Sequence, residues 1–171
     1  MRQDKGILAM DIGSGTQDIL VWKPHIPMEN CPRMILPSPS TIIAGLVQEA
    51  TRVGRPVFLS GRLMGGGAVT RAVRKHIQAG LPVFALREPA LTFHDNLDKV
   101  QKMGIQIVDS RPSEEPLAEI PMGDLDLSAM AQCLGLFHVA MPEVIAIAVQ
   151  DHGFSPYESN RIFRFRQWQE L

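Results

Sequence analysis

A chain of 171 residues can hold one domain, or one domain and part of another. Hydrophobic residues make up 45%, enough for a real core, while 20% charged residues and a formal net charge of -1 argue against a disordered tail or a broad basic surface for nucleic acid. The only two cysteines, Cys31 and Cys133, form no close ligand pair. The N-terminal Met1–Gly6 stretch lacks the apolar core of a signal peptide, and no apolar run is long enough to span a bilayer. A reducing cytoplasmic setting without a membrane is therefore expected.

In chain order, Gly6–Met10 and Ile19–Trp22 are apolar runs around a polar, glycine-containing turn, and they read as a hairpin of two strands. Arg33–Leu36, between prolines, is a third strand. Ser40 is the expected cap of a helix carrying Ile42, Ile43, Leu46, Val47 and Ala50, stopped by Gly54. Pro56–Ser60 is a fourth strand. Gly65–Gly67 leads into a second helix that buries Val69, Ala72, Val73 and Ile77 and turns Arg71, Arg74 and Lys75 to solvent. The triple glycine can offer N–H groups to an anion, but its spacing fits no P-loop or dinucleotide fingerprint, which favours a connector.

Leu81–Leu86 reads as a fifth strand, Asp95 or Asn96 as the cap of a third helix, and Ile105–Val108 as a further strand. Arg111–Gly123, rich in Pro and Glu, reads as a surface loop, followed by a helix capped by Asp126. The unbroken apolar run Val144–Val149 suits a strand buried on both faces. Ile162–Phe165 is a last strand candidate, with Arg164 and Arg166 on one face and Arg161, Phe163 and Phe165 on the other.

The chemistry concentrates in Asp11-Ile12-Gly13-Ser14-Gly15-Thr16-Gln17-Asp18. A carboxylate at a strand end suits Mg²⁺ held through waters, so Asp11 is the metal candidate. Gly13, Ser14 and Gly15 can bring backbone N–H groups to phosphates, with the Thr16 hydroxyl beside them. Gln17 is a candidate for orienting a water or the terminal phosphate. Asp151-His152-Gly153 repeats Asp-x-Gly at the end of an apolar strand, 140 residues after Asp11. Asp151 is thus a candidate general base or second metal carboxylate, and Gly153 a second phosphate contact.

The order strand, strand, strand, helix, strand, helix, strand, helix is that of the ribonuclease-H-like fold. Residues 7–22 and the echo at 151–153 resemble the superfamily of actin, heat-shock chaperone ATPases and sugar kinases. That resemblance implies an α/β fold with a mixed sheet: a ribonuclease-H-like, actin-like ATPase lobe over residues 1–142, with residues 143–171 opening a second, truncated lobe. It implies ATP and Mg²⁺ as cofactors, and ATP hydrolysis or phosphoryl transfer to a small molecule. Phe154, Ser155 and Pro156 depart from the second motif.

The wording of Asp11–Asp18 and Val149–Pro156 more closely resembles a poorly characterised family labelled "putative pyruvate formate-lyase activating enzyme". That label implies a radical enzyme with an iron–sulfur cluster, which several closely spaced cysteines would hold; Cys31 and Cys133 do not supply them. Two other functions compete with the ATPase reading. One is a metal-dependent nuclease of the same fold, drawing on Glu49 and Asp109; the other is a scaffold that binds nucleotide without turnover. A lone hairpin of a second lobe cannot build its own core. The chain is therefore expected to be a piece of a longer protein, or to complete its cleft by association with a further copy.

Overall fold

A computed structural model describes residues 6–113, 116–149 and 154–169. The chain opens with strand β1 (Ile7–Ile12), a glycine turn, β2 (Thr16–Trp22), a single 3₁₀ turn at Met28–Asn30, and β3 (Arg33–Pro37). Helix α1 (Pro39–Arg52) leads to β4 (Val57–Arg62), α2 (Gly67–Gln78), β5 (Val83–Ala85), the short α3 (Arg87–Leu91), α4 (Leu97–Lys102) and β6 (Ile105–Ile107). Then follow β7 (Ala118–Gly123), α5 (Leu127–Leu136), β8 (Val144–Val149) and α6 (Asn160–Gln169). None of the described helices is long and apolar enough to cross a membrane.

Among the described residues, this α/β fold carries two four-stranded sheets, in the orders β3-β2-β1-β8 and β6-β5-β4-β7. The first is mixed. Strands β1, β2 and β3 form an antiparallel meander, and β8 lies parallel to β1, with Ile7 opposite Val144 and Ile12 opposite Val149. The second sheet is entirely parallel. Its chain order runs outward from β4 to β6 and then returns to the far side of β4 as β7. The order thus reverses between β4 and β7, the position at which open α/β sheets present ligand groups beyond their strand ends.

Strand alternation fixes which side of the first sheet is covered. Leu8, Met10, Ile19 and Val21 point to one face, where Met130 and Leu134 of α5 pack on them. Ala9, Asp11, Asp18 and Leu20 line an open groove on the opposite face, with Ile35, Ala146 and Ala148. The two central strands of the parallel sheet are buried on both sides. Val57, Leu59, Val83 and Ala85 meet α1 and α2 through Val47, Val69 and Val73, while Phe58 and Phe84 form a second cluster with Leu117. Removing apolar surface from water on this scale is the main stabilising term.

Four local expectations change. Ala118–Gly123 is a strand, not part of a loop: Ile120 and Met122 are buried and alternate with exposed Glu119 and Pro121, and pairing with β4 overrides the Pro- and Glu-rich composition. Residues 162–165 lie in helix α6 rather than in a strand, because Ile162, Phe163 and Phe165 suit either period over so short a run. Strand β8 exists, but all its residues except Ile145 are exposed. Among the described residues it is an edge strand, bonded to β1 on one side and exposed along most of its length. The cap of α1 is Ser38, not Ser40: Pro39 occupies the first helical turn, and the Ser38 hydroxyl accepts the Thr41 N–H.

Candidate functional site

The turn after β1 is tied down at three points. The Gly13 N–H donates to the Thr16 carbonyl at 2.9 Å, closing the hairpin. The Ser38 hydroxyl donates to the Ser14 carbonyl at 3.1 Å, and the Ser38 N–H to the Gly15 carbonyl at 3.0 Å. The turn's carbonyls therefore face inward, toward the start of α1. Among the described residues, the Ser14 and Gly15 N–H groups donate to no protein acceptor, so they are the turn's free donors. Ser14, Gly15 and Thr16 are all exposed.

Asp11 lies on the open face of the sheet, directly opposite Asp18 on β2. Like charges opposed across an antiparallel pair repel, and a divalent cation relieves that repulsion. Exposed oxygen donors of this kind suit Mg²⁺, which is commonly held by one or two carboxylates with waters and phosphate oxygens completing its shell. Gln17 points the other way. It is buried, and its Nε2 donates to the Pro37 carbonyl at 3.0 Å, so its amide fastens β2 to β3. Asp151 and Gly153, the residues of the second Asp-x-Gly, lie outside the described residues.

The triple glycine comes to the same end of the molecule as the hairpin turn. Gly13, Ser14, Ser40, Gly65, Asp124 and Val149 share a small cavity of about 20 Å³. Strands β1, β4, β7 and β8 all point their C-terminal ends here. Gly66 is the N-cap of α2 and offers no side-chain acceptor to the helix's first turn. It has to be glycine: a Cβ would stand 2.5 Å from the Thr92 carbonyl oxygen. Thr92 in turn donates from Oγ1 to the Leu63 carbonyl at 2.6 Å, which holds the glycine loop against the end of α3. A groove of about 790 Å³ adjoins it, with Arg62, Thr70, Glu88 and Asp95 as its polar walls and Phe93 and Phe154 as apolar ones.

Asp124, which the sequence did not single out, anchors this junction. Its Oδ2 accepts the Met64 N–H at 2.9 Å, tying the end of β7 to the loop after β4. Burial pushes its carboxyl above the usual 3.8, while the Met64 N–H and the Arg62 guanidinium pull it back. The one signal in sequence is its place just after Gly123 at the end of a strand, and that strand was itself illegible.

Among the described residues, the donors that the nuclease reading and the iron–sulfur reading add stand apart. Glu49 lies on an exposed face of α1, bound to Arg52 at 2.6 Å, and Asp109 is exposed after β6. Among the described residues, no three His, Cys, Asp or Glu side chains gather as metal ligands. Cys31 is buried beside the Ile26 carbonyl, and Cys133 on α5 meets Met34 Sδ at 3.9 Å. These two thiols do not fit an iron–sulfur cluster, which takes several cysteine thiolates.

No curated protein and no solved structure matches the chain. Residues 64–171 match the family model described as "Putative pyruvate format-lyase activating enzyme (DUF1786)", a span that opens at the glycine loop before α2 and takes in Asp124 and β8. The chain belongs to that family.

Proposed function

We propose that the chain is the nucleotide-binding lobe of an actin-like or sugar-kinase-like protein, ribonuclease-H-like in build, and that it takes Mg-ATP. The observation that carries this reading is the meeting of two glycine turns, Gly13–Gly15 after β1 and Gly65–Gly67 before α2, at the C-terminal ends of four strands. Backbone N–H groups of such turns recognise phosphate without a Cβ in the way. Ser14 and Gly15 would supply the donors and Asp11 a carboxylate for Mg²⁺, and the positive end of α2 begins at the second glycine turn.

The family label does not decide the chemistry, since this chain's cysteines do not make the site that the label requires. The two carboxylates that the nuclease reading adds, Glu49 and Asp109, do not line the groove that holds Asp11 and Asp18. The reading is tested by calorimetric titration of ATP with and without Mg²⁺ into the wild-type chain and Asp11→Ala. Binding that needs Mg²⁺ and is lost in Asp11→Ala supports it; identical titrations of the two proteins refute it.

A further inference from the structure

We propose that Cys133, Met34 and Met130 form a binding site for a soft monovalent cation, copper(I), between helix α5 and the covered face of the first sheet. The inference stands apart from the nucleotide reading and uses none of its residues.

A pair of sulfurs carries it. Cys133 Sγ on α5 and Met34 Sδ on β3 lie 3.9 Å apart, although 99 positions separate them in the chain. Two sulfurs that each bind one ion at about 2.3 Å, with about 120° between the bonds, stand about 4.0 Å apart. The pair is thus already spaced as two legs of a trigonal site.

Met130 supplies the third sulfur. It lies three residues before Cys133, which puts the two on one face of α5. It is 6% exposed and belongs to the core cluster against which Met34 packs. A methionine side chain is unbranched and has three rotatable bonds, so its sulfur can swing onto an ion without moving the backbone. Cross-strand register sets Met10, Ile19 and Met34 in one row of the sheet, so Met10 flanks the site from the far side of Ile19.

The site has a way in. Cys133, Met130, Met10 and Met122 line a groove of about 580 Å³, walled by Leu36 and Ile43. Cys133 is partly exposed, whereas Cys31 is buried beside the Ile26 carbonyl. Asp126, the carboxylate on the groove's wall, caps α5 by accepting the Ala129 N–H.

The donor set selects the ion. Thiolate and thioether are the soft ligands that favour copper(I), while magnesium and calcium prefer oxygen. Charge selects it too. The Cys133 thiol releases its proton to solvent as its sulfur bonds the ion, and one thiolate with one monovalent cation makes a neutral unit. A divalent ion in the same place would leave a net positive charge among apolar side chains, which is costly.

The test uses the full chain, free of oxygen and with ascorbate present, and copper(I) held by the coloured chelator bicinchoninate as the probe. Wild type should withdraw one equivalent of copper(I), and its urea midpoint should rise as it does so. X-ray absorption at the copper edge should show a shell of sulfur. Cys133→Ser should bind at least about 10²-fold more weakly, and Met34→Leu and Met130→Leu each about tenfold more weakly. The two leucine variants keep side-chain volume, so their urea midpoints without copper should stay close to wild type. Cys31→Ala should bind as wild type does. Wild-type protein that takes no copper(I) from the chelator overturns the inference, as does a shell of nitrogen or oxygen. So does Cys133→Ser binding equal to wild type, or leucine variants that both bind as tightly as wild type, which would leave a lone thiol in place of a site. If Cys133→Ser shows no urea transition, the leucine variants and the absorption shell decide. Mg-ATP binding is read in its own titration, so failure of either reading leaves the other standing.

Discussion

The Ser38 hydroxyl donates to the carbonyl of Ser14 at 3.1 Å and at the same time accepts the Thr41 N–H at 3.2 Å. One fully buried side chain thus caps α1 and anchors the glycine turn, so the first helix and the turn are joined through it. The free N–H groups of Ser14 and Gly15 owe their outward aim to this link, because it holds the carbonyls of the same turn inward.

Ser38→Ala therefore has two effects. Loss of the cap should cost about 1–2 kcal/mol of stability, read as a lower urea midpoint. It should also weaken Mg-ATP binding, read by calorimetry, because the Ser14 carbonyl is released. A variant with the lower midpoint and unchanged binding would separate the cap from the turn and show that the two are not coupled.

The switch point between β4 and β7 depends on Gly61. Its φ is +78°, and a Cβ there would stand 2.1 Å from the Met122 carbonyl oxygen, a backbone atom that cannot step aside. Gly61→Ala combines left-handed strain with a backbone clash and should cost about 2–4 kcal/mol in urea unfolding. Gly54→Ala provides a control: φ is positive there as well, but nothing lies within 4 Å of the added methyl, so the cost should be clearly smaller.

His76 makes stability depend on pH. It is fully buried on α2, with Nδ1 2.8 Å from Thr51 Oγ1. Burial lowers its pKa below the ordinary 6.5; the Pro82 carbonyl opposes this, though Nε2 forms no hydrogen bond of good geometry. The folded protein therefore resists a proton that the unfolded chain accepts. The contribution to stability is full above 6.5 and is lost as pH falls below it. Asp124, whose carboxyl is raised, works in the opposite sense, so the comparison with a variant matters. His76→Leu leaves Thr51 Oγ1 donating to the Val47 carbonyl at 2.8 Å. The urea midpoint of wild type should fall more steeply between pH 7.5 and 5.5 than that of His76→Leu; equal slopes would deny His76 this role.

Local elements were legible in the sequence wherever periodicity was clean. The β1–β2 hairpin, α1 and α2 declare themselves through Leu8, Met10, Ile19 and Val21 and through Val69, Ala72 and Val73, all buried where their spacing puts them. His76 was missed because a histidine on a helix beside Arg74 and Lys75 reads as polar surface. β7 was hidden because Pro121 and Glu119 face outward from a strand whose inward residues, Ile120 and Met122, are too few to signal alone. The division into two sheets could not be read locally at all, since the pairings of β1 with β8 and β4 with β7 join residues far apart in the chain. The candidate site was half visible: the glycine turn was plain, while Ser40 and Asp124 acquire meaning only when three loops meet around one cavity.

Gly15 offers the most direct test of phosphate capture at the turn, because its site chemistry and its structural role separate. A Cβ at Gly15 meets nothing within 4 Å, and its φ is not in the left-handed region, so Gly15→Val should leave the urea midpoint within about 0.5 kcal/mol of wild type. The added side chain would occupy the space where a phosphate meets the Ser14 and Gly15 N–H groups. The decisive measurement is calorimetric titration of Mg-ATP into wild-type and Gly15→Val protein. Wild type should show saturable binding, and the equally stable variant should bind at least about tenfold more weakly. Wild-type protein that takes up no Mg-ATP, or a variant that binds it as tightly as wild type, would contradict it.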